Sequence, residues 1–285
     1  MLATQLNRGR ICRGPLSRSQ RPIEDIRRTI LLRQPLWRSA LILALLCFAV
    51  QASTPGDPPA RYLISNVPGI IQLPNYCGPA ALASVLGYWG DSVTQTAIGQ
   101  KTFDKRHAAT NGAELLLFAR DRGYVAFSYD GSIADLKTRV AQNLPVIVLQ
   151  YQALDDKRGH FRVVMGYDDD RKLLYTRDSN YESVRAIPYA TFAKLWEPYG
   201  NWSLIVAPTS ESAKLSGLDR NNVVLHLDLG QAYLRRNNTS LATAHLREAL
   251  RLEPGNEEAV QMLTQISSRG ASGRHRIATS NGAAQ

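Results

Sequence analysis

The pattern of apolar and polar residues changes character within residues 61–208, which form the first predicted domain. In the first half of this stretch, apolar residues are grouped as in buried helices, over 80–89 and 113–122. Ser132, followed by Asp135 three residues later, is typical of the start of a third helix, which ends near residue 143. The first half of the domain is therefore predicted to be helical.

Strands are predicted in the second half of the domain. β-Branched and aromatic runs occupy 145–151, 161–167, 172–176 and 202–206, and Asp-, Gly- and Lys-rich turns separate them. Helices followed by strands are typical of an α+β fold with an antiparallel sheet. The polar residues 209–217 are predicted to form a linker.

Residues 217–266 have the spacing of a helical repeat. Counted from Val223, they match the diagnostic positions of a tetratricopeptide repeat of about 34 residues, except for His226 at the fourth position. The matching residues are Leu229, Gly230, Tyr233, Ala242, Leu246, Ala249 and Pro254. One repeat and the start of another cannot bury much core, so this hairpin must pack on the first domain, a partner or its own copy. The polar tail, 267–285, is predicted to be disordered.

The front of the chain, 1–52, is typical of a targeting segment. Its apolar run, 39–50, is shorter than the roughly 20 residues of a membrane span and suits a secretory signal. Arg33 and Arg38 provide the positive flank, and small residues at Val50 and Ala52 permit cleavage after Ala52. We expect a periplasmic or extracellular protein, with an uncleaved N-terminal anchor as the alternative. A Pro-rich linker, 53–60, follows.

The net charge of +10 is placed mostly in this front segment. Residues 1–52 hold nine arginines against two acids, a net +7, and the other 233 residues carry only +3. Their basic residues are scattered among nearly as many acids, so we expect no nucleic-acid partner. Contact with a membrane is expected only through an uncleaved front segment.

The three cysteines exclude a disulfide framework, and no close Cys/His cluster indicates structural zinc. Cys12 and Cys47 lie in the front segment, which leaves Cys77 as the one thiol of the expected mature chain. The run 168–170 consists of three aspartates and is predicted to be a hairpin turn rather than a metal site. We therefore expect no metal and no cofactor.

Cys77 has the sequence context of a reactive thiol. It precedes a predicted helix, with Pro79 in the first turn, and the helix dipole and free N–H groups there lower a thiol pKa. A thiolate nucleophile needs an imidazole base, which in turn needs an orienting acceptor. His160 begins a strand after a glycine, and Asp178 ends the next strand, so antiparallel pairing would bring them together. The alternatives are an inert buried cysteine, an edge-strand histidine and a turn-forming aspartate.

Three blocks of sequence resemble the bacteriocin-processing cysteine peptidases that remove double-glycine leaders, and their free-standing relatives. These blocks are NYCGPAALASVLGYWG, GHFRVVMGYDDD and the strand that ends in Asp178, and the resemblance covers 62–208. It implies a papain-like fold in which Cys77 is the nucleophile, His160 the general base and then acid, and Asp178 the group that orients His160. Gln72 matches the glutamine that stabilises the oxyanion, although it lies five residues before Cys77 where six are usual; Asn75 is the alternative. A secreted domain of this kind followed by a tetratricopeptide repeat is similar to a known bacterial arrangement.

The predicted function is thiol-dependent hydrolysis of peptide bonds, with double-glycine leaders as the substrate that the resemblance implies. Transfer of the acyl group to an amine uses the same acyl-enzyme and stays open. The alternative from another class is a catalytically silent module that binds peptides in the cleft. The expected partners are a peptide or protein substrate and a protein bound by the helical repeat. Lys157, Arg158 and Arg162 are predicted to be solvated, where they would bias the cleft toward acidic substrates.

Overall fold

A computed structural model describes residues 58–268 of the chain. The predicted signal, 1–52, lies outside the described residues, together with all but the last three residues of the linker 53–60. The predicted tail, 267–285, also lies outside them, except for residues 267 and 268, which are helical. Among the described residues, no helix has the length and hydropathy that a membrane span requires.

Four helices form the first half of the described chain. They are α1 (Cys77–Tyr88), α2 (Gln95–Thr102), α3 (Gly112–Asp121) and α4 (Ile133–Ala141). The predicted start of α4 is confirmed, because the Ser132 hydroxyl accepts a hydrogen bond from the Asp135 N–H at 3.0 Å. The first predicted helix begins three residues earlier than expected, at Cys77 itself, because Pro79 is compatible with a first helical turn.

The predicted antiparallel sheet is confirmed, and it has more strands than the sequence indicated. Seven strands follow the order β4–β9–β5–β6–β7–β8, with β1 paired to the far end of β6; β2 and β3 form a separate small hairpin. The strands are β1 (Arg61–Leu63), β2 (Phe103–Asp104), β3 (Ala109–Thr110), β4 (Val125–Asp130), β5 (Val146–Tyr151), β6 (Gly159–Asp168), β7 (Leu173–Asp178), β8 (Arg185–Pro188) and β9 (Trp202–Ala207).

The centre of the sheet is buried on both faces. Every residue of β9 and nine of the ten residues of β6 are buried, which explains why these strands are nearly continuous runs of apolar residues. Strands β6 and β7 are joined by the predicted turn, which contains Asp169 and Asp170. Since β7 pairs with β6 along most of its length, the end of β7 lies beside the beginning of β6.

Helix α5 (Tyr189–Trp196) and two short 3₁₀ helices, Glu197–Tyr199 and Thr209–Leu215, complete this part of the chain. The second 3₁₀ helix occupies the predicted linker at 209–217. The expectation of a polar linker was wrong in one respect, because Leu215 at its end is buried in the core.

The C-terminal helices are α6 (Val223–Arg235), α7 (Thr239–Leu252) and a further helical stretch, 257–268. A Cβ at Gly230 would lie 2.6 Å from the Leu246 side chain, so α6 and α7 approach closely only because this residue is glycine. Leu225, Leu229 and Ala232 of α6 belong to the same apolar cluster as the sheet. Of the three packing modes left open by the sequence, the structure therefore has the hairpin packed on the first domain.

Candidate active site

Cys77 is the first residue of α1, where backbone N–H groups have no partner within the helix. The next residue has to be small. A Cβ at Gly78 would lie 3.1 Å from the Thr110 Cβ and 3.2 Å from the Phe161 ring. Glycine therefore permits the start of the helix to lie directly against β3 and β6, which brings the thiol to the beginning of β6.

The structure brings the three residues predicted for catalysis together. His160, on β6, lies beside the Cys77 thiol in one cavity, and its Nε2 lies 2.8 Å from Asp178 Oδ1. Because Nε2 is used by Asp178, Nδ1 is the ring nitrogen available to the thiol. His160 is only 1% exposed and Asp178 is also buried, so the hydrogen bond between them is shielded from water.

The surroundings favour the charged forms of both Cys77 and His160. Burial is the largest influence on the thiol and opposes its ionisation, but the hydrogen bond and charge of His160 and the N–H groups of Phe161 and Gly78 outweigh it and lower the Cys77 pKa. Burial likewise opposes charge on the imidazole, yet hydrogen bonds to Asp178 and Cys77 raise the His160 pKa. The geometry thus stabilises a thiolate beside an imidazolium.

Asp178 stays ionised despite its burial. Burial raises its pKa, but this is outweighed by the hydrogen bond and charge of His160, the charge of Arg162 and the Asn180 N–H, and the Asp178 pKa falls to about 2. A permanent negative charge at this position holds the His160 ring in place and stabilises its protonated form.

Arg162 is a residue whose role the sequence analysis missed. It was predicted to be solvated; instead it is buried, and its Nε donates to Asp178 Oδ2 at 2.8 Å. Its other nitrogens donate to the Gln150 side chain and to the carbonyls of Tyr151 and Gln152. The sequence could have indicated this position, because alternate residues of a strand face the same side, and Arg162 therefore lies on the same side of β6 as His160.

Gln72 lies beside Cys77 and is held by the residue after Asp178. Its backbone N–H donates to the Ser179 carbonyl at 3.0 Å, and its Oε1 accepts from the Ser179 hydroxyl at 2.7 Å. With Oε1 occupied, the Nε2 donor is the end of the amide left for a ligand. The alternative residue, Asn75, lines the same cavity, so the structure brings both candidates to the site.

The thiol and imidazole face a cavity of about 430 Å³. Gln72 and Asn75 lie on one side of it, and Leu149 and Tyr199 line it as well. A volume of this size accommodates a few residues of a peptide. Within residues 58–268, no three His, Cys, Asp or Glu side chains are grouped so that they could hold a metal ion.

Comparison with known proteins gives a family that this region resembles. Residues 64–204 match the model of the Peptidase_C39 like family. We call this segment the C39-like domain, after the family whose model it matches. The match covers helices α1–α5, strands β2–β8 and the first half of β9, and it includes Cys77, His160 and Asp178. The predicted papain-like α+β fold is confirmed. A comparison with curated proteins gave no match.

Solved structures similar to the C39-like domain include three peptidases. A C39-like peptidase from Bacillus anthracis has 19% identity and a TM-score of 0.42, with 52% of this chain and 97% of that chain covered. The peptidase domain of Streptococcus ComA, a bi-functional ABC transporter involved in a quorum sensing pathway, has 20% identity and a TM-score of 0.42, with 50% and 100% covered. A double glycine motif protease from an AMS/PCAT transporter, solved in complex with the leader peptide, has 23% identity and a TM-score of 0.40, with 52% and 99% covered.

Proposed function

We propose that the protein is a cysteine peptidase in which Cys77 is the nucleophile, His160 the general base and acid, and Asp178 the group that orients His160. The observation that carries the proposal is the grouping of the Cys77 thiol beside His160, which is itself hydrogen-bonded to Asp178, at a cavity of about 430 Å³. A nucleophile, its base and the base's acceptor are the minimum set for acyl transfer.

In this mechanism the Cys77 thiolate attacks the carbonyl carbon of the scissile peptide bond. The tetrahedral oxyanion accepts hydrogen bonds from the Cys77 N–H and from Gln72 Nε2. As the carbon–nitrogen bond breaks, the His160 imidazolium gives its proton to the leaving amine, and a thioester remains on Cys77. His160 then takes a proton from water, which attacks the thioester, and the thiol is restored when the acid product leaves.

The substrate that we propose is a leader peptide cut after a Gly-Gly pair, which rests on the match to the C39-like family. The C39-like domain is also compatible with transfer to an amine, since water and an amine attack the same thioester. The two outcomes are separated by adding an amine acceptor and analysing the products by mass spectrometry.

The test of catalysis is replacement of the nucleophile. Cys77→Ala is expected to lower kcat on a peptide with a central Gly-Gly by roughly 10⁴–10⁶-fold. Iodoacetamide is expected to abolish activity when it modifies Cys77, the only cysteine between residues 58 and 268, as located by mass spectrometry. The exposed Lys194→Ala is the control variant and should retain full activity.

Two outcomes would overturn the proposal. An unchanged rate in Cys77→Ala would exclude the thiol as nucleophile. Tight binding of the peptide to the unmodified protein, with neither turnover nor an adduct on Cys77 by mass spectrometry, would favour the silent binding module instead.

A further inference from the structure

The cavity that contains Cys77 is adjacent to a second groove, and the two share His107 in their linings. On one side the active-site cavity is bounded by residues 107–110, which lead into β3. On the other side of the same loop lies a groove of about 510 Å³ between Asp104, helix α6 and the helical stretch 257–268. His107 lines both spaces, so the loop between β2 and β3 is their shared wall.

Contacts to the C-terminal helices fix this wall. Asp104 Oδ2 lies 2.8 Å from His107 Nδ1 and accepts from Arg235 Nη1 of α6 at 3.2 Å. At the same end of the loop, the ring of Phe103 packs 5.0 Å from that of Tyr76, the residue before Cys77. The loop is thus tied both to the start of α1 and to the helical hairpin.

The groove has an apolar floor and a basic rim. Leu234 and Met262 line the groove and are largely buried. Arg106 lines the groove, and Lys101 and Lys105 line a smaller adjoining cavity that shares Asp104, Arg106 and Arg235 with it. All three basic residues are exposed, and within residues 58–268 none of them forms an ion pair with a carboxylate. The one carboxylate that lines the groove, Asp104, is already paired with Arg235. Positive charge is therefore uncompensated along this edge.

We propose that this groove is an exosite for the peptide substrate and binds an acidic stretch with an apolar residue, several positions away from the bond cut at Cys77. The inference rests on the proposed function and adds a specificity determinant to it. A peptide is favoured over a separate protein partner because the groove lies across the loop between β2 and β3 from the active-site cavity, so an extended chain that leaves Cys77 can cross this loop and enter the groove. The apolar floor suits one side chain, and the basic rim suits carboxylates beside it.

Binding is measured with the Cys77→Ala variant, so that the measurement does not depend on turnover. The probes are fluorescein-labelled peptides of equal length with a central Gly-Gly and a flexible Gly/Ser spacer that leads to either a Glu-Leu-Glu or a Ser-Leu-Ser segment, placed at either end. Fluorescence anisotropy is expected to give a lower Kd for one orientation of the acidic peptide, by about tenfold, with the advantage shrinking as salt is added.

The matched variants reverse the same number of charges at two places. Lys105→Glu combined with Arg106→Glu, in the Cys77→Ala chain, should remove the advantage of the acidic peptide. Lys194→Glu combined with Arg220→Glu reverses two exposed charges outside both cavities and should leave the advantage unchanged. With Cys77 present, the first pair should lower kcat/KM for the acidic peptide only and leave that for the serine peptide as in the unmodified protein.

The outcomes separate the exosite from the proposed function. Equal Kd values for the acidic and serine peptides, or equal losses in both pairs of variants, would overturn the exosite even if the peptides are hydrolysed. A Kd advantage that depends on Lys105 and Arg106 without any hydrolysis would support the groove as a peptide site and overturn the peptidase proposal.

Discussion

At the scale of single residues, the end of β7 organises most of the candidate site. Asp178 uses Oδ1 for His160 and Oδ2 for Arg162, and the next residue, Ser179, holds Gln72. Two adjacent residues thus orient the base and the donor proposed for the oxyanion. Sequence reasoning identified Asp178 from its place after a strand, but the role of Ser179 depends on a hydrogen bond to a residue 107 positions away.

Arg162 also affects the pKa values of His160 and Asp178. Burial is the largest influence that lowers the His160 pKa, and the Arg162 guanidinium lowers it further. The guanidinium also helps to lower the Asp178 pKa. Removal of one member of a buried ion pair leaves the other unpaired, which is costly. We infer that Arg162 is a positioning residue, which acts on the reaction only through Asp178.

This role predicts a specific change in the pH profile. In the unmodified protein, kcat/KM should rise below the ordinary thiol pKa of 9.0 and fall above the ordinary imidazole pKa of 6.5, because the Cys77 pKa is lowered and the His160 pKa raised. Arg162→Gln should lower kcat by about 10–100-fold with little change in KM, as for a group that orients another. It should also move the alkaline limb to higher pH, since a cation that opposes the imidazolium is lost.

Arg162→Lys distinguishes charge from geometry. Lysine restores the cation but not the forked set of donors, so the alkaline limb should return while kcat stays low. Rates are normalised to the folded fraction measured by circular dichroism, which corrects for unfolded protein. A normal kcat and an unshifted profile in Arg162→Gln, after this correction, would show that the residue is merely structural.

At the scale of elements, the helical hairpin is part of the core rather than an appendage. Helix α6 contacts α3 and β4, and the Trp202 indole N–H donates to Asp228 of α6 at 2.8 Å. The Trp202 ring in turn packs edge-on against Phe161, whose N–H lowers the Cys77 pKa. Helix α6 is therefore linked to the active site through one layer of side chains.

A pair of leucine substitutions tests the shared core. Leu229 is 1% exposed in the main apolar cluster, whereas Leu241 of α7 is 42% exposed. Leu229→Ala should lower the free energy of unfolding by about 2–5 kcal/mol, and Leu241→Ala by less than about 0.5 kcal/mol. Urea denaturation followed by circular dichroism and by tryptophan fluorescence should show one shared transition.

Separate transitions by the two probes, with Leu229→Ala affecting only one, would contradict a common core.

The helices and strands differ in how well the sequence predicted them. Helix α2 gives little periodic signal because Ile98 is its one large buried residue. Helix α5 and strand β8 are likewise hard to predict from the sequence, because they depend on their packing against the sheet. In contrast, β6 and β9 are recognisable from their residues alone, since residues 163–167 of β6 and 204–207 of β9 are uninterrupted runs without a polar side chain apart from the Tyr167 hydroxyl.

At the scale of the whole molecule, the charge of +10 separates into two parts with different origins. The +7 of residues 1–52 belongs to the predicted targeting segment, which lies outside the described residues. The other residues are nearly balanced in charge. A local excess of positive charge, such as the basic rim at Lys105 and Arg106, is therefore more informative about binding than the net charge.

We propose that the protein is exported and cleaved after Ala52. Expression of the full chain in a bacterium, followed by N-terminal sequencing of the periplasmic and secreted protein, should give Ser53 as the first residue. Ala52→Arg should accumulate the uncleaved precursor, because a large charged residue does not fit a cleavage site that requires small ones. A mature protein that begins near Met1 would contradict the signal and favour the uncleaved anchor.

The amino-acid sequence by itself determined the α+β class, the order of helices and strands, and Cys77, His160 and Asp178 as the candidates for catalysis. These depend on local properties, namely periodicity, turn residues and position relative to a helix or strand. Only the tertiary structure decided that Arg162 is buried against Asp178, that α6 packs on the first domain, and that His107 lines two cavities. Each of those depends on a partner distant along the chain, which a residue's own sequence neighbours do not specify.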